Sequence, residues 1–174
     1  MRGNINLSSI HVAKAAFHQA QAISDLINLT YRGTDGWTTE AAIIEGDRTN
    51  RQEIENTLIN PNGCFLIAQL PQLLASCIYV AQEKEHAYIG FFSVHPSLQQ
   101  HGLGKFMLMQ AEVFAYQSLG ARKLVMFVIS QRPELIAFYH RRGYRGTGRV
   151  EAYPSFLGIP KISGLTIEYL EKSV

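Results

Sequence analysis

The chain has 174 residues, of which 47% are hydrophobic, and this length suits one domain over 1–174 with a sizeable core. Its formal net charge of +2 gives no electrostatic support for a dedicated nucleic-acid-binding protein. The two cysteines, Cys64 and Cys77, lie in apolar runs without His or Cys at metal-ligand spacing, so no metal site is expected. Unpaired cysteines and the lack of a signal-peptide pattern favour a cytoplasmic protein.

The first third of the chain predicts one strand and two helices. A strand is expected over 10–14, followed by a helix over 17–32 whose apolar residues recur on one face. Residues 39–44 predict the start of a further helical segment, which Gly46 interrupts. Thr49-Asn50-Arg51-Gln52 has the spacing of a capping box and predicts a helix that runs to about residue 59.

Residues 56–82 contain no charged side chain and approach the length of a membrane span. Pro71 and neighbouring glutamines interrupt this stretch in the middle. Two short apolar runs flank the interruption, which favours a buried hairpin of strands over 63–69 and 74–82. A further strand over 86–94 follows a charged turn, and no membrane partner is predicted.

A glycine-rich turn joins the 86–94 strand to a helix predicted over 104–119. Gly102 and Gly104 allow unusual dihedral angles and a close approach of a ligand to the main chain. The first N–H groups of a helix lack partners, and the positive end of the helix dipole lies behind them. The turn therefore predicts a site for a phosphate or pyrophosphate. The spacing matches neither the dinucleotide-binding fingerprint nor the P-loop.

The remaining elements complete an α/β pattern with a mixed sheet packed by helices. A β-branched and aromatic strand is expected over 123–129, and Pro133 begins a helix that Gly143 closes. Strands over 144–152 and 165–170 follow, separated by a loop rich in proline and glycine. No repeat or linker divides the chain.

Two features of the surface leave alternatives open. The helix over 106–114 is apolar all round, including Phe106, Met109 and Val113, which is consistent with a homodimer contact or with burial on two sides. Arg141 and Arg142 belong to a basic cluster near a helix end. The cluster is interpreted as a solvated complement to the helix dipole or as a site that attracts nucleotide phosphates or an acidic substrate.

Two motifs give the chain a resemblance to a known family. Gln99, Gly102 and Gly104 match the pattern Gln/Arg-x-x-Gly-x-Gly/Ala, and a later helix carries Phe-Tyr-x-x-x-Gly-Tyr from residue 138. The chain resembles the GNAT superfamily of acyl-CoA-dependent N-acyltransferases over roughly residues 63–170. The asparagine often found seven residues before the tyrosine of the second motif is Arg132 here.

The resemblance implies a GNAT fold, with a central twisted and mostly antiparallel sheet of six or seven strands flanked by about four helices. The 86–94 and 123–129 strands are expected to splay apart and admit the acyl arm of acetyl-CoA. The implied function is acetyl transfer from acetyl-CoA to a primary amine of a small molecule or polypeptide, without a metal. The alternatives are a non-catalytic coenzyme A-binding sensor and a nucleotide-phosphate enzyme of another fold.

The implied cofactor site uses backbone as well as side chains. The pyrophosphate rests on the N–H groups of residues 100–105, and the N–H of Val94, freed by a strand bulge, polarises the thioester carbonyl. The implied cofactor-binding residues are Phe92, Ser93, Val94, Gln99, Gln100, His101, Gly102, Leu103, Gly104, Lys105 and Tyr139.

Tyr139 matches the usual general acid of the family, which protonates the departing sulfur. A phenol suits this role because it stays protonated at neutral pH, although a core aromatic is the alternative. On the acceptor side the implied substrate-binding residues are Trp37, Thr38, Glu40 and Tyr88, and Glu40 is also a catalytic candidate that holds or deprotonates an ammonium. Structural alternatives for this segment are helix capping by Thr38 and core packing by Trp37.

Overall fold

A computed structural model describes residues 6–174, so the first five residues of the predicted domain lie outside the described part. The helices of the described part are α1 (Ala20–Arg32), α2 (Arg51–Leu58), α3 (Leu103–Leu119) and α4 (Pro133–His140). Its strands are β1 (Val12–Lys14), β2 (Ile44–Glu45), β3 (Gly63–Leu70), β4 (Leu73–Glu83), β5 (His86–Val94), β6 (Lys123–Ile129), β7 (Arg145–Ala152), β8 (Ile159–Pro160) and β9 (Thr166–Ser173).

Seven strands form one sheet in the order β1-β3-β4-β5-β6-β9-β7. All neighbours pair antiparallel except β5 and β6, which run parallel. These two strands pair only where Ala87 and Tyr88 meet Leu124 and Val125, so the sheet opens beyond that point. The predicted α/β class, the mostly antiparallel sheet and the splayed strand pair are confirmed.

Helices cover both faces of the sheet, because successive side chains of a strand point to opposite faces. On one face α3 buries Met107, Leu108 and Ala111 against apolar residues of β3, β4 and β5. On the other face α1 packs Ile23 and Ile27 in a second cluster that also holds the only buried residue of α2. Complete burial of an aliphatic side chain stabilises the fold by roughly 2 kcal/mol.

Two predictions for the segment before α2 are wrong. Residues 39–44 form a single turn, in which the Glu40 carbonyl accepts from the N–H groups of Ile43 and Ile44. The chain then extends into β2 because Ile44 is buried in a small cluster with residues of β6 and β9. The cap of α2 is Asn50, whose side chain accepts from the Glu53 N–H, while the Thr49 hydroxyl donates to the Glu53 carboxylate.

The outer face of α3 is open to solvent. Met109 is 48% exposed and Val113 is 42% exposed, so burial of this helix on two sides is wrong. A homodimer contact on this face stays a prediction. No helix within residues 6–174 combines the length and the hydropathy of a membrane span, and the uncharged stretch over 56–82 supplies most of the β3–β4 hairpin.

Candidate functional site

A cavity of about 440 Å³ opens where β5 and β6 separate. We call it the first cavity, and it lies between the end of β5, the start of α3 and one face of α4. Its lining includes eleven of the residues singled out from the sequence, namely Trp37, Thr38, Phe92, Ser93, Val94, Gln99, Gln100, Gly102, Gly104, Lys105 and Tyr139.

The turn before α3 presents a row of unpaired amides. Gln100 and Gly102 have positive φ values of 66° and 84°, which turn successive N–H groups toward one side. The first hydrogen bond of α3 runs from the Phe106 N–H to the Gly102 carbonyl. None of the six N–H groups of residues 100–105, which we call the amide turn, donates a hydrogen bond within residues 6–174.

Two predicted members of this site contribute no side chain to the first cavity. The His101 ring nitrogen Nδ1 lies 2.7 Å from the Gln99 carbonyl, and Leu103 is buried in the core beneath α3. Only their N–H groups remain at the amide turn. The Gln99 side chain also bonds to the protein itself, because its amide donates to the Val94 carbonyl and accepts from the Trp37 N–H.

A bulge interrupts β5 just before the amide turn. Phe91 and Phe92 together oppose Ile78 of β4, and Phe91 has a positive φ of 48°. After the bulge the His95 N–H donates to the Ala75 carbonyl at 2.8 Å. Hydrogen bonds alternate along an antiparallel pair, so the N–H of Val94 points away from β4 and into the gap beside β6.

Tyr139 lies on α4 at the inner end of the gap. Its ring meets Phe138 and Tyr144 edge to face, and burial raises the pKa of its hydroxyl far above the usual value. The hydroxyl has no hydrogen-bond partner among the described residues. Tyr139 is therefore a neutral phenol with an unused donor.

A second, narrower cavity of about 50 Å³ lies on the other side of Tyr139. It adjoins the first cavity, since Tyr31, Phe92, Arg132, Leu135 and Tyr139 line both. The other aromatic residues of its wall are Tyr88, Phe91, Phe127 and Tyr153.

Burial raises the pKa of Tyr31 to about 12, with the positive charge of Arg48 acting in the opposite direction. Burial also raises the pKa of Tyr88 far above its ordinary value. The phenols of this second cavity are therefore neutral across the physiological pH range.

Glu40 lies at the edge of the second cavity inside a buried ion-pair network. Its two carboxylate oxygens accept from Arg32 Nε at 3.0 Å and from Arg132 Nη1 at 3.1 Å, and its side chain is 6% exposed. Arg132 also donates to the Thr38 hydroxyl at 3.0 Å, whereas its buried Nε has no hydrogen-bond partner among residues 6–174. The Glu40 charge is thus compensated by the protein itself.

Trp37 and Thr38 lie on the first cavity, whereas Tyr88 lines the second. The Trp37 ring lies 5.8 Å from that of Phe138, and the Thr38 hydroxyl donates to Glu134 at the start of α4. The segment after α1 therefore closes over the first cavity. The same segment reaches the second cavity through Glu40 and Arg48.

Arg141 and Arg142 of the predicted basic cluster border the first cavity, where Arg142 stacks on Phe138 with 3.4 Å between the guanidinium carbon and the ring centroid. Other lining residues had no predicted role in a site. The sequence indicated Tyr31 only as one residue of a buried helical face, and no local pattern predicted a site role for Arg48 or Tyr153. Their positions depend on contacts between distant segments of the chain.

The sheet of this chain splits between two parallel strands, and an amide turn and a neutral tyrosine lie at the gap. Together these features define the class of N-acyltransferase folds. The family model described as the acetyltransferase (GNAT) family matches residues 21–144, and the chain belongs to this family. No protein with a curated description matches the chain in sequence.

Solved structures support the fold at low sequence identity. PaiA N-acetyltransferase from Thermoplasma acidophilum in complex with coenzyme A is 17% identical, with a TM-score of 0.71 and coverage of 95% of this chain and 99% of that one. A variant of spermidine N-acetyltransferase from Vibrio cholerae is 14% identical, with a TM-score of 0.68 and coverage of 94% of each chain. IAA acetyltransferase from Bacillus cereus is 17% identical, with a TM-score of 0.70 and coverage of 95% and 100%.

Proposed function

We propose that this protein transfers the acetyl group of acetyl-CoA to a primary amine of a small molecule or polypeptide. One observation carries the proposal: the amide turn and the free hydroxyl of Tyr139 line the same cavity, at the point where β5 and β6 separate. The similarity of the fold to an N-acetyltransferase in complex with coenzyme A supports the choice of cofactor.

The cofactor is held mainly by backbone groups. Its pyrophosphate accepts hydrogen bonds from the amide turn, where the dipole of α3 adds favourable charge. Lys105, Arg141 and Arg142 border the same cavity and attract the phosphates. The buried Nε of Arg132 lies 3.9 Å from a Glu134 carboxylate oxygen and has no hydrogen-bond partner among the described residues, so it takes the place of the family's asparagine as a donor to the pantetheine arm.

Acetyl transfer proceeds by direct attack of a neutral amine on the thioester carbonyl. The new carbon–nitrogen bond forms a tetrahedral adduct, whose oxyanion accepts from the N–H of Val94. The amine nitrogen of the adduct releases a proton to solvent, the carbon–sulfur bond breaks, and Tyr139 donates its proton to the departing sulfur. Solvent then restores the proton of Tyr139. The N-acetylated amine and the coenzyme A thiol leave the site.

We assign Glu40 as a positioning residue. Its carboxylate accepts from both Arg32 and Arg132, so it orients Arg132 at the junction of the two cavities. Trp37 and Thr38 cover the cofactor arm, and Tyr88 contributes to the wall of the acceptor side.

Calorimetric titration with acetyl-CoA, followed by a thiol-release assay over a panel of primary amines, tests the proposal. We expect one bound acetyl-CoA per chain and thiol release with at least one class of amine. Binding without thiol release across the panel would favour a coenzyme A-binding sensor. Failure to bind acetyl-CoA would contradict both functions.

A further inference from the structure

We propose that the acceptor amine carries a carboxylate near its amino group, as an α-amino acid does, and that Arg48 binds this carboxylate. The assignment rests on the proposed acetyl transfer and specifies its acceptor class. It begins from the charges around the second cavity, which lies across Tyr139 from the amide turn.

The second cavity has an excess of positive charge. Arg32, Arg48, Arg132 and Glu40 are its charged lining residues, three positive and one negative, which leaves a formal charge of +2. Arg32 donates hydrogen bonds to the Glu40 carboxylate and to the carbonyls of Gly46 and Leu157. Glu40 is therefore shared between two guanidinium groups, and no further carboxylate lines this cavity.

Among the arginines that line this cavity, Arg48 is the one whose side chain makes neither a hydrogen bond nor an ion pair within residues 6–174. The guanidinium carbon lies 4.6 Å from the Phe91 ring centroid and 5.7 Å from that of Tyr31. Stacking on rings uses the face of a guanidinium and leaves the N–H groups at its edge available for a carboxylate.

The backbone of Arg48 is held in place before any ligand arrives. Asn28 of α1 accepts from the N–H groups of Arg48 and Thr49 at 2.8 and 3.0 Å, and it donates to the Thr49 carbonyl at 2.9 Å. The bulge residue Phe91 supports the guanidinium from below. Such a prearranged cation loses little entropy when it binds an anion.

Tyr153 supplies a second unused polar group in the same cavity. Its hydroxyl is buried near Arg32 without forming a hydrogen bond of good geometry among the described residues, and burial raises its pKa while Arg32 acts in the opposite direction. A buried hydroxyl without a partner is costly, so a ligand oxygen that satisfies it is favoured. The guanidinium edge and this hydroxyl together suit the two oxygens of a carboxylate.

The same charges disfavour a cationic acceptor. An ammonium entering a cavity with a formal charge of +2 is destabilised, which favours the neutral amine that attack requires. An α-amino group has a pKa of about 8, whereas an alkyl amine has one of about 10.4, so the α-amino group loses its proton more readily. No unpaired carboxylate and no histidine lines this cavity to act as a base.

The test compares three probes with the purified full chain: apolar and aromatic L-α-amino acids, their α-carboxamides, and spermidine. Thiol release and the mass of the acetylated product are both measured. We expect kcat/KM for the acids to exceed that for the amides by about tenfold or more, since a direct charge pair is worth at least that factor. Equal or better turnover of the amides or of spermidine would overturn the assignment while leaving acetyl transfer intact.

Variants of Arg48 locate the carboxylate. Arg48→Gln should raise KM for the acids to the level of the amides without changing acetyl-CoA affinity, and Arg48→Lys should restore part of the preference. Arg51→Gln is the matched control, because Arg51 is exposed and pairs with Glu55 away from both cavities. An unchanged preference in Arg48→Gln would remove Arg48 from this role. Acetyl-CoA binding without turnover of any of the three probes would overturn this assignment, and thiol release with another amine of the panel would show that acetyl transfer still holds.

Discussion

The two cavities on either side of Tyr139 are built in different ways. The proposed pyrophosphate end of the first is formed by main-chain groups of one continuous segment, the amide turn over residues 100–105. The second is formed by residues from α1, the segment before α2, β5, β6, α4 with its N-cap Arg132, and the loop after β7. A ligand held by consecutive amides leaves a local motif in the sequence, whereas a ligand held by dispersed side chains leaves none.

The largest effect is expected when the carboxylate that pairs with two arginines of the second cavity is removed. Glu40→Gln leaves Arg32 and Arg132 buried without their charge partner, and we expect it to lower the free energy of unfolding by about 3–5 kcal/mol. Urea denaturation measures the loss. Glu171→Gln is the control, because Glu171 forms an exposed ion pair with Lys123 that is worth about 0–1 kcal/mol. Equal stability of the two variants would contradict the structural role of Glu40.

The next largest effect is expected from a larger side chain at Gly104, which would fill part of the first cavity. A Cβ at Gly104 would lie 3.7 Å from both Phe138 and Val94 at the first cavity, and its φ is ordinary. Gly104→Val therefore places further methyl groups against the cofactor while the fold persists. We expect acetyl-CoA to bind about 100-fold more weakly, which is an overpacking cost of about 2.7 kcal/mol.

Gly104→Ala is the matched control for this substitution, since its Cβ meets only ordinary contacts. Its acetyl-CoA affinity should remain close to that of the unaltered protein. Calorimetry compares the three proteins, and unchanged affinity in Gly104→Val would place the cofactor elsewhere.

Tyr139 belongs to both cavities, so its removal separates chemistry from binding. We expect Tyr139→Phe to lower kcat by about 100-fold, the scale of general acid catalysis, with acetyl-CoA affinity unchanged. Because burial raises the pKa of this phenol above the ordinary value of about 10, its protonated form persists below that pH. The kcat of the unaltered protein should not fall between pH 7 and pH 10 through loss of this proton. Full activity of Tyr139→Phe would remove Tyr139 from the acid role.

The smallest expected effect concerns the shape of the amide turn. Gly102→Ala puts a Cβ on a residue with φ of 84°, which we expect to cost about 1 kcal/mol of stability. Gly146→Ala provides the comparison, since its Cβ would enter open space at ordinary φ. Thermal unfolding of both variants measures the difference. A loss in Gly146→Ala as large as that in Gly102→Ala would mean that the left-handed turn is not the cause.

Most secondary structure was readable because its signals are local. Gly120 adopts the positive φ expected of a residue that ends α3, and Pro133 occupies the first turn of α4. The prediction of a helical segment over 39–44 is wrong because Ile44 is buried in a cluster with residues of β6 and β9. No local pattern indicates this long-range contact. The sequence likewise indicated Glu40 as a carboxylate of the site, but no local pattern indicated that Arg32 and Arg132 pair with it.

The amino-acid sequence determined the order of the seven main strands and four helices, the amide turn and the place of Tyr139 on a helix, because each depends on residues within a few positions of one another. Tertiary structure alone decided which charges meet at the second cavity. Arg132 reaches Glu40 across 92 positions of the chain, and Arg48 joins them only through the packing of its segment on α1. Long-range packing sets the distances between charges, and those distances determine which charges are compensated and which are available to a ligand.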